Sequence, residues 1–139
     1  MNLAVRTLSG LALLTSLTFS AFAQDEDCGN AQSQAAMNEC FYRSYEAADA
    51  ELNAVWARLM PLAKESDNLG TDDGRPGHEE TLRKAQRAWI SFRDANCEFE
   101  GFQARGGTLE PTIVNSCLAR LTSERTQQLE TLLQEFGMQ

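Results

Sequence analysis

Leu82-Arg83-Lys84-Ala85-Gln86-Arg87-Ala88-Trp89-Ile90-Ser91-Phe92-Arg93-Asp94-Ala95-Asn96-Cys97 contains no proline or glycine, and its apolar residues return at intervals of three and four. The stretch reads as a helix. With successive residues about 100° apart, Phe99, Phe92, Ala85, Asn96, Trp89, Leu82, Arg93, Gln86, Cys97 and Ile90 fall in one arc, opposite Lys84, Ser91, Glu98, Arg87, Asp94 and Arg83. Arg93 lies inside the apolar arc. An unpaired guanidinium there costs several kcal/mol, so it needs a carboxylate or a route to water along its own stem.

Upstream, Ser33 is a suitable N-cap for a first long helix from Gln34 to about Glu65. Its apolar face is Met37, Phe41, Tyr45, Ala48, Leu52, Val55, Trp56, Leu59, Leu62 and Ala63, with Asp49 at the edge. Pro61 predicts a kink there or an end near Met60. Ser66 to His78 is rich in Gly, Pro and Asp and reads as an acidic loop, either a connector or a partner contact. The second helix runs from about Glu79 to Gln103 and stops at Arg105-Gly106-Gly107. Pro111 suits the first turn of a third helix reaching about Phe136, whose inward arc holds Cys117, Gln128, Leu121, Val114, Leu132, Arg125, Leu118, Phe136, Leu129, Thr122 and Leu133. The expected fold is all-α: a three-helix antiparallel bundle of long helices.

Two inward arginines, Arg93 and Arg125, then face one well-placed acid, Asp49. A buried network of Asp49 with Arg125, Arg93 or both is expected, with Trp56 and Trp89 excluding water. This network is read as structural. An arginine-locked carboxylate is a poor general base, and no nucleophile or histidine accompanies it.

Residues 1–23 carry a single cation, Arg6, an apolar run from Leu8 to Phe22, and Ala21-Phe22-Ala23 as a small-x-small site. They read as a secretory signal peptide, which leaves residues 24–139 as one domain of 116 residues, 139 less 23. No cysteine directly follows the cleavage site, so it does not look like a lipoprotein site, and no later segment offers the roughly 18 apolar residues of a membrane span. A soluble periplasmic or secreted protein is expected.

The 20 acids face 12 bases, and losing Arg6 takes the net charge from −8 to −9. That balance disfavours nucleic acid and anionic membranes and suits a basic protein partner. The four cysteines, Cys28, Cys40, Cys97 and Cys117, all follow the leader and read as two disulfides, for which three pairings exist. An antiparallel hairpin about Gly106-Gly107 brings Cys97 level with Cys117, leaving Cys28 for Cys40. There is no Cys-x-x-Cys, and the lone His78 sits in the loop, so no metal site is expected. There is also no phosphate-binding glycine loop and no Ser-His or Cys-His pair, so the chain is read as a non-enzyme without cofactor.

Three groups of residues carry a family resemblance: Cys40 to Asn53 with Tyr45, Ala48-Asp49 and Leu52-Asn53; Ala85-Gln86-Arg87-Ala88-Trp89-Ile90 with Phe92-Arg93-Asp94 and Cys97; and Gly106-Gly107 with Cys117 and Thr122 to Arg125. Together they resemble the lysozyme-inhibitor LprI-like family over essentially the whole chain after the leader. The resemblance implies an exported, helical, disulfide-bonded domain, and the family's name implies inhibition of lysozyme. The chain departs from the namesake in lacking its lipoprotein cysteine.

A basic muramidase would be attracted to an acidic inhibitor, and its cleft holds two carboxylates. The loops at Asp72, Asp73 and Arg75 and at Arg105 and Thr108 are the candidate contacts, with Arg75 and Arg105 as the cations. Phe99 and Phe102, with Phe136 and Met138, are read as core or core edge. Exposed instead, they would favour an accessory envelope protein that binds another protein or peptide.

Overall fold

A computed structural model describes residues 28–70 and 73–137. The expected leader, Asp72 and Met138 lie outside the described residues. A short 3-10 helix, Cys28–Asn30, precedes three long helices: α1 (Gln34–Leu69), α2 (His78–Gly101) and α3 (Glu110–Gly137). A second 3-10 turn, Phe102–Ala104, leads out of α2. The fold is the expected all-α antiparallel bundle with two disulfides.

Ser33 caps α1 as its side chain predicts, its hydroxyl accepting from the Ala36 N–H at 3.1 Å. The far end departs from the expectation. The helix neither stops near Met60 nor at Glu65 but runs unbroken through Pro61 to Leu69. Pro61 and Ala57, whose carbonyl loses its helical donor, are both exposed, so water can satisfy that carbonyl and the helix continues.

Residues 66–69, read as loop, therefore form the last turn of α1, and Asp67 in that turn caps the next helix. Its carboxylate accepts the backbone N–H of His78 at 2.5 Å and of Glu79 at 3.0 Å. Gly77 makes room for it, since a Cβ there would stand 2.8 Å from the Asp67 carboxylate. The N–H groups of Glu79 and His78 hold the Asp67 carboxyl below its ordinary pKa.

The core is Leu52, Val55 and Leu59 of α1 against Leu129 of α3, with Trp56, Leu82, Trp89, Leu132 and Leu133 packed around it. Helices α1 and α3 form the most extensive pairing, and α2 lies at the side of that pair. Where α2 meets α3, Gly101 is buried and a Cβ on it would stand 2.6 Å from Val114 Cγ2. Cys97 and Cys117 clamp the same crossing at a Cα separation of 5.4 Å, and Cys28 and Cys40 tie the preceding segment to α1 at 5.7 Å.

The position of α2 corrects its predicted face. Gln86, Arg93, Cys97 and Gly101 are its buried residues. Phe92 is 58 % exposed and Phe99 71 %, although both fell in the predicted inward arc. A peripheral helix buries a narrow strip, and that arc was too wide for the strip available. Phe102, at 39 %, is also outside the core, whereas Phe136 is half-buried with its ring edge-on to His78 at 5.9 Å.

Candidate functional site

Arg93 is buried, and its guanidinium is held on every side. It donates to Asp94 through Nε at 2.9 Å and lies 2.8 Å from that carboxylate through NH2. It reaches Asp49 only at 3.7 Å, and NH1 donates to the Thr122 hydroxyl at 3.3 Å. Its face stacks on the rings of Trp89 at 5.1 Å and Tyr45 at 5.4 Å.

Two features of the expected network change. Asp94, assigned to the solvent face, is the closer partner, because a guanidinium at the rim of the buried strip can fold back to its own neighbour. Arg125 is not in an ion pair with Asp49. It donates to Gln86 at 3.1 Å and to Gln128 at 3.0 Å, and it stacks on Trp89 at 5.9 Å. With only amide partners, burial draws the Arg125 pKa down. Asp49 itself is half-exposed and accepts from Asn53 at 2.8 Å. These side chains tie α2 to α1 and α3.

The two candidate contact loops do not come together. They lie at opposite ends of α2, whose 24 residues span about 36 Å. At one end Arg75 is held by Asp73, whose carboxylate accepts from its Nε at 2.6 Å and its backbone N–H at 3.0 Å. That pairing holds the Asp73 carboxyl low and neutralises the cation. Beside it opens a groove of about 1050 Å³, with Leu59, Ala63, Leu132 and Phe136 among its apolar lining and Asp67 and His78 at its polar side.

At the other end the α2–α3 turn is exposed and braced. Gly106 has φ +76°, the left-handed region that favours glycine, and its N–H donates to the Glu110 carboxylate at 2.7 Å. Asn38 of α1 donates to the Thr108 carbonyl at 3.1 Å, and Gln34 donates to the Thr112 hydroxyl at 2.7 Å. Thr112 also bonds Asn38, closing the cluster. Arg105 lies over the Phe102 ring at 4.5 Å and has no acid partner among the described residues. Cys40 lies two residues beyond Asn38, and Cys97 and Cys117 flank the turn, so both disulfides stiffen this end.

The architecture defines a class: an all-α domain stapled by two disulfides at one end, with a hydrogen-bonded turn carrying Arg105 there. The chain belongs to the LprI family, described as lysozyme inhibitor LprI, whose model matches residues 25–129. It is 45% identical over 128 residues to "Uncharacterized protein R02472" of Rhizobium meliloti (strain 1021), covering 89% of this chain and 92% of that one. It is 28% identical over 98 residues to "Uncharacterized protein YecT" of Escherichia coli (strain K12), covering 68% of this chain and 60% of that one. No solved structure matches. Among the described residues no helix is long and apolar enough to cross a membrane, and no group of His, Cys, Asp and Glu could hold a metal ion.

Proposed function

We propose that the protein is an exported, non-catalytic inhibitor of a basic lysozyme, cleaved after Ala23, which presents its α2–α3 turn to the enzyme's cleft. The observation that carries this reading is the bracing of one exposed cation. Arg105 stands on a turn held by both disulfides and by side chains of α1, so little ordering remains to be paid on binding. A glycosidase cleft with two carboxylates offers that guanidinium a charge-assisted partner. The acidic remainder of the chain, at net charge −8 over the whole sequence, attracts a basic enzyme and accelerates encounter. The family's description supports the choice of target. The Asp73–Arg75 loop is the weaker contact, its cation being already paired.

The test is titration of a basic lysozyme with the oxidised protein at low and physiological salt, alongside Arg105→Glu and an unrelated acidic helical protein. Inhibition saturating near one to one, retained at physiological salt and weakened about thirtyfold or more by Arg105→Glu supports the reading. No inhibition, or an effect that the control reproduces and salt abolishes, rejects it.

A further inference from the structure

The outward face of α2 is not used by this reading, and it has an order of its own. Thr81, Ala85, Ala88, Phe92, Ala95 and Phe99 are all exposed, and they follow one another at intervals of four, three, four, three and four residues. Phe102 extends the series by three just past the helix end. This is a heptad seam sustained along the whole helix without a charged residue in it; Thr81 and Ala85 also line the rim of the groove against α1 and α3, and the rest lies away from the strip that α2 buries. A solvated helix face is normally broken by charge, and an apolar stripe this long marks a docking surface.

We infer that this face binds a second copy of the same chain, α2 against α2, antiparallel about a two-fold axis level with Ile90. The seam is complementary to itself in that arrangement. Thr81 comes level with Phe99 of the second copy, Ala85 with its Ala95, and Ala88 with its Phe92. Every phenylalanine within the helix thus meets a small residue, and the alanine layers between them let the helices approach closely. The flanking charges also match. Lys84 and Glu98 border the seam, and neither side chain has a hydrogen bond or ion pair among the described residues of the protomer. The two-fold brings Lys84 of each copy within about 3 Å along the axis of the other's Glu98, so opposite charges face each other at both ends.

The exposed rings supply about half of the area a stable dimer needs. At exposures of 58, 71 and 39 %, Phe92, Phe99 and Phe102 leave about 300 Å² of ring surface per protomer. The pair of copies would bury about 600 Å² from these rings alone, before the remaining seam and its flanks are counted, toward the roughly 1,200 Å² at which stable interfaces begin. Arg105 lies over the Phe102 ring at the end of the seam, so the dimer interface and the Arg105 turn adjoin there.

Sedimentation equilibrium of the oxidised full chain tests the inference over concentrations up to about 1 mM. The expected result is a monomer–dimer equilibrium that Phe92→Glu weakens about a hundredfold, with the helical circular dichroism unchanged because Phe92 is exposed in the protomer. Lys84→Glu weakens the dimer about fivefold, as does Glu98→Lys, and the double charge swap restores it. A chain that stays monomeric throughout overturns the inference, as does a dimer indifferent to Phe92→Glu. Failure of the double swap to restore association overturns the antiparallel register.

Discussion

Replacing Arg93 by Met should destabilise the protein by about 3 kcal/mol, and the components can be read from its contacts. The carboxylates of Asp94 and Asp49 are 55 and 41 % exposed, so each ion pair contributes about 0–1 kcal/mol and each acid rehydrates when released. Stacking on Trp89 and Tyr45 contributes about 1 kcal/mol apiece, against which stands the cost of dehydrating the guanidinium. The largest single loss is at Thr122, which is 0 % exposed and whose hydroxyl accepts from Arg93. Without that donor a buried hydroxyl loses its partner at about 1–3 kcal/mol.

The combination makes a specific forecast for a double-mutant cycle measured by urea unfolding. Thr122→Val alone removes the acceptor, and in the Arg93→Met background it removes a group that no longer has a donor. The double variant should therefore be more stable than the sum of the singles by about 1 kcal/mol or more. Asp49→Asn, at 3.7 Å and half-exposed, should cost less than about 1 kcal/mol. Additive singles, or an Asp49→Asn cost equal to that of Arg93→Met, would refute this account and return Asp49 to the centre of the network.

Asp67→Asn should lower the melting temperature at neutral pH. Because the folded pKa of Asp67 lies below its unfolded value of about 3.9, its contribution is present above that pH and fades as pH falls through the folded value, so the two melting curves should converge on acidification. A difference that stays constant with pH would show that the cap does not act through its charge. Gly101→Ala should cost about 1–3 kcal/mol despite alanine's better helix propensity, because Val114 Cγ2 stands 2.6 Å from the new Cβ; a stabilised variant would show that α2 and α3 can part there freely. Cys97→Ser with Cys117→Ser opens a loop with a sequence separation of 20 and should cost about 3 kcal/mol, seen as a melting temperature lower by about 10–20 °C, with inhibition of lysozyme weakened in parallel if the α2–α3 turn is the contact.

The faces of α1 and α3 were legible because each helix is amphipathic with one stripe. Ala48, Leu52, Val55, Leu59 and Ala63 are buried in α1 as their spacing required; in α3 Cys117, Thr122 and Leu129 are buried as expected, whereas Gln128 of the predicted arc is exposed and Thr112 and Thr126, outside it, are buried. The level pairing of Cys97 with Cys117 followed from hairpin arithmetic about the glycine turn. Helix α2 resisted the same reading because it carries two apolar faces. A wheel merges Trp89 and Leu82 with Phe92 and Ala85 into one arc, and only neighbours in space separate them. The heptad spacing from Thr81 to Phe99 was visible in the sequence and could have signalled a second seam.

Local periodicity and the cysteine spacing by themselves determined the helix count, the α1 face, part of the α3 face and the disulfides, since these depend on residues a few positions apart or on the geometry of one turn. The tertiary structure alone decided that Asp67 caps a helix eleven residues away, that Arg93 turns to Asp94 while Arg125 is left with amides, and that the two candidate loops stand at opposite ends. It also decided which side of α2 faces solvent. Such choices are settled by competition among all the surfaces available for burial, and no local window contains that competition.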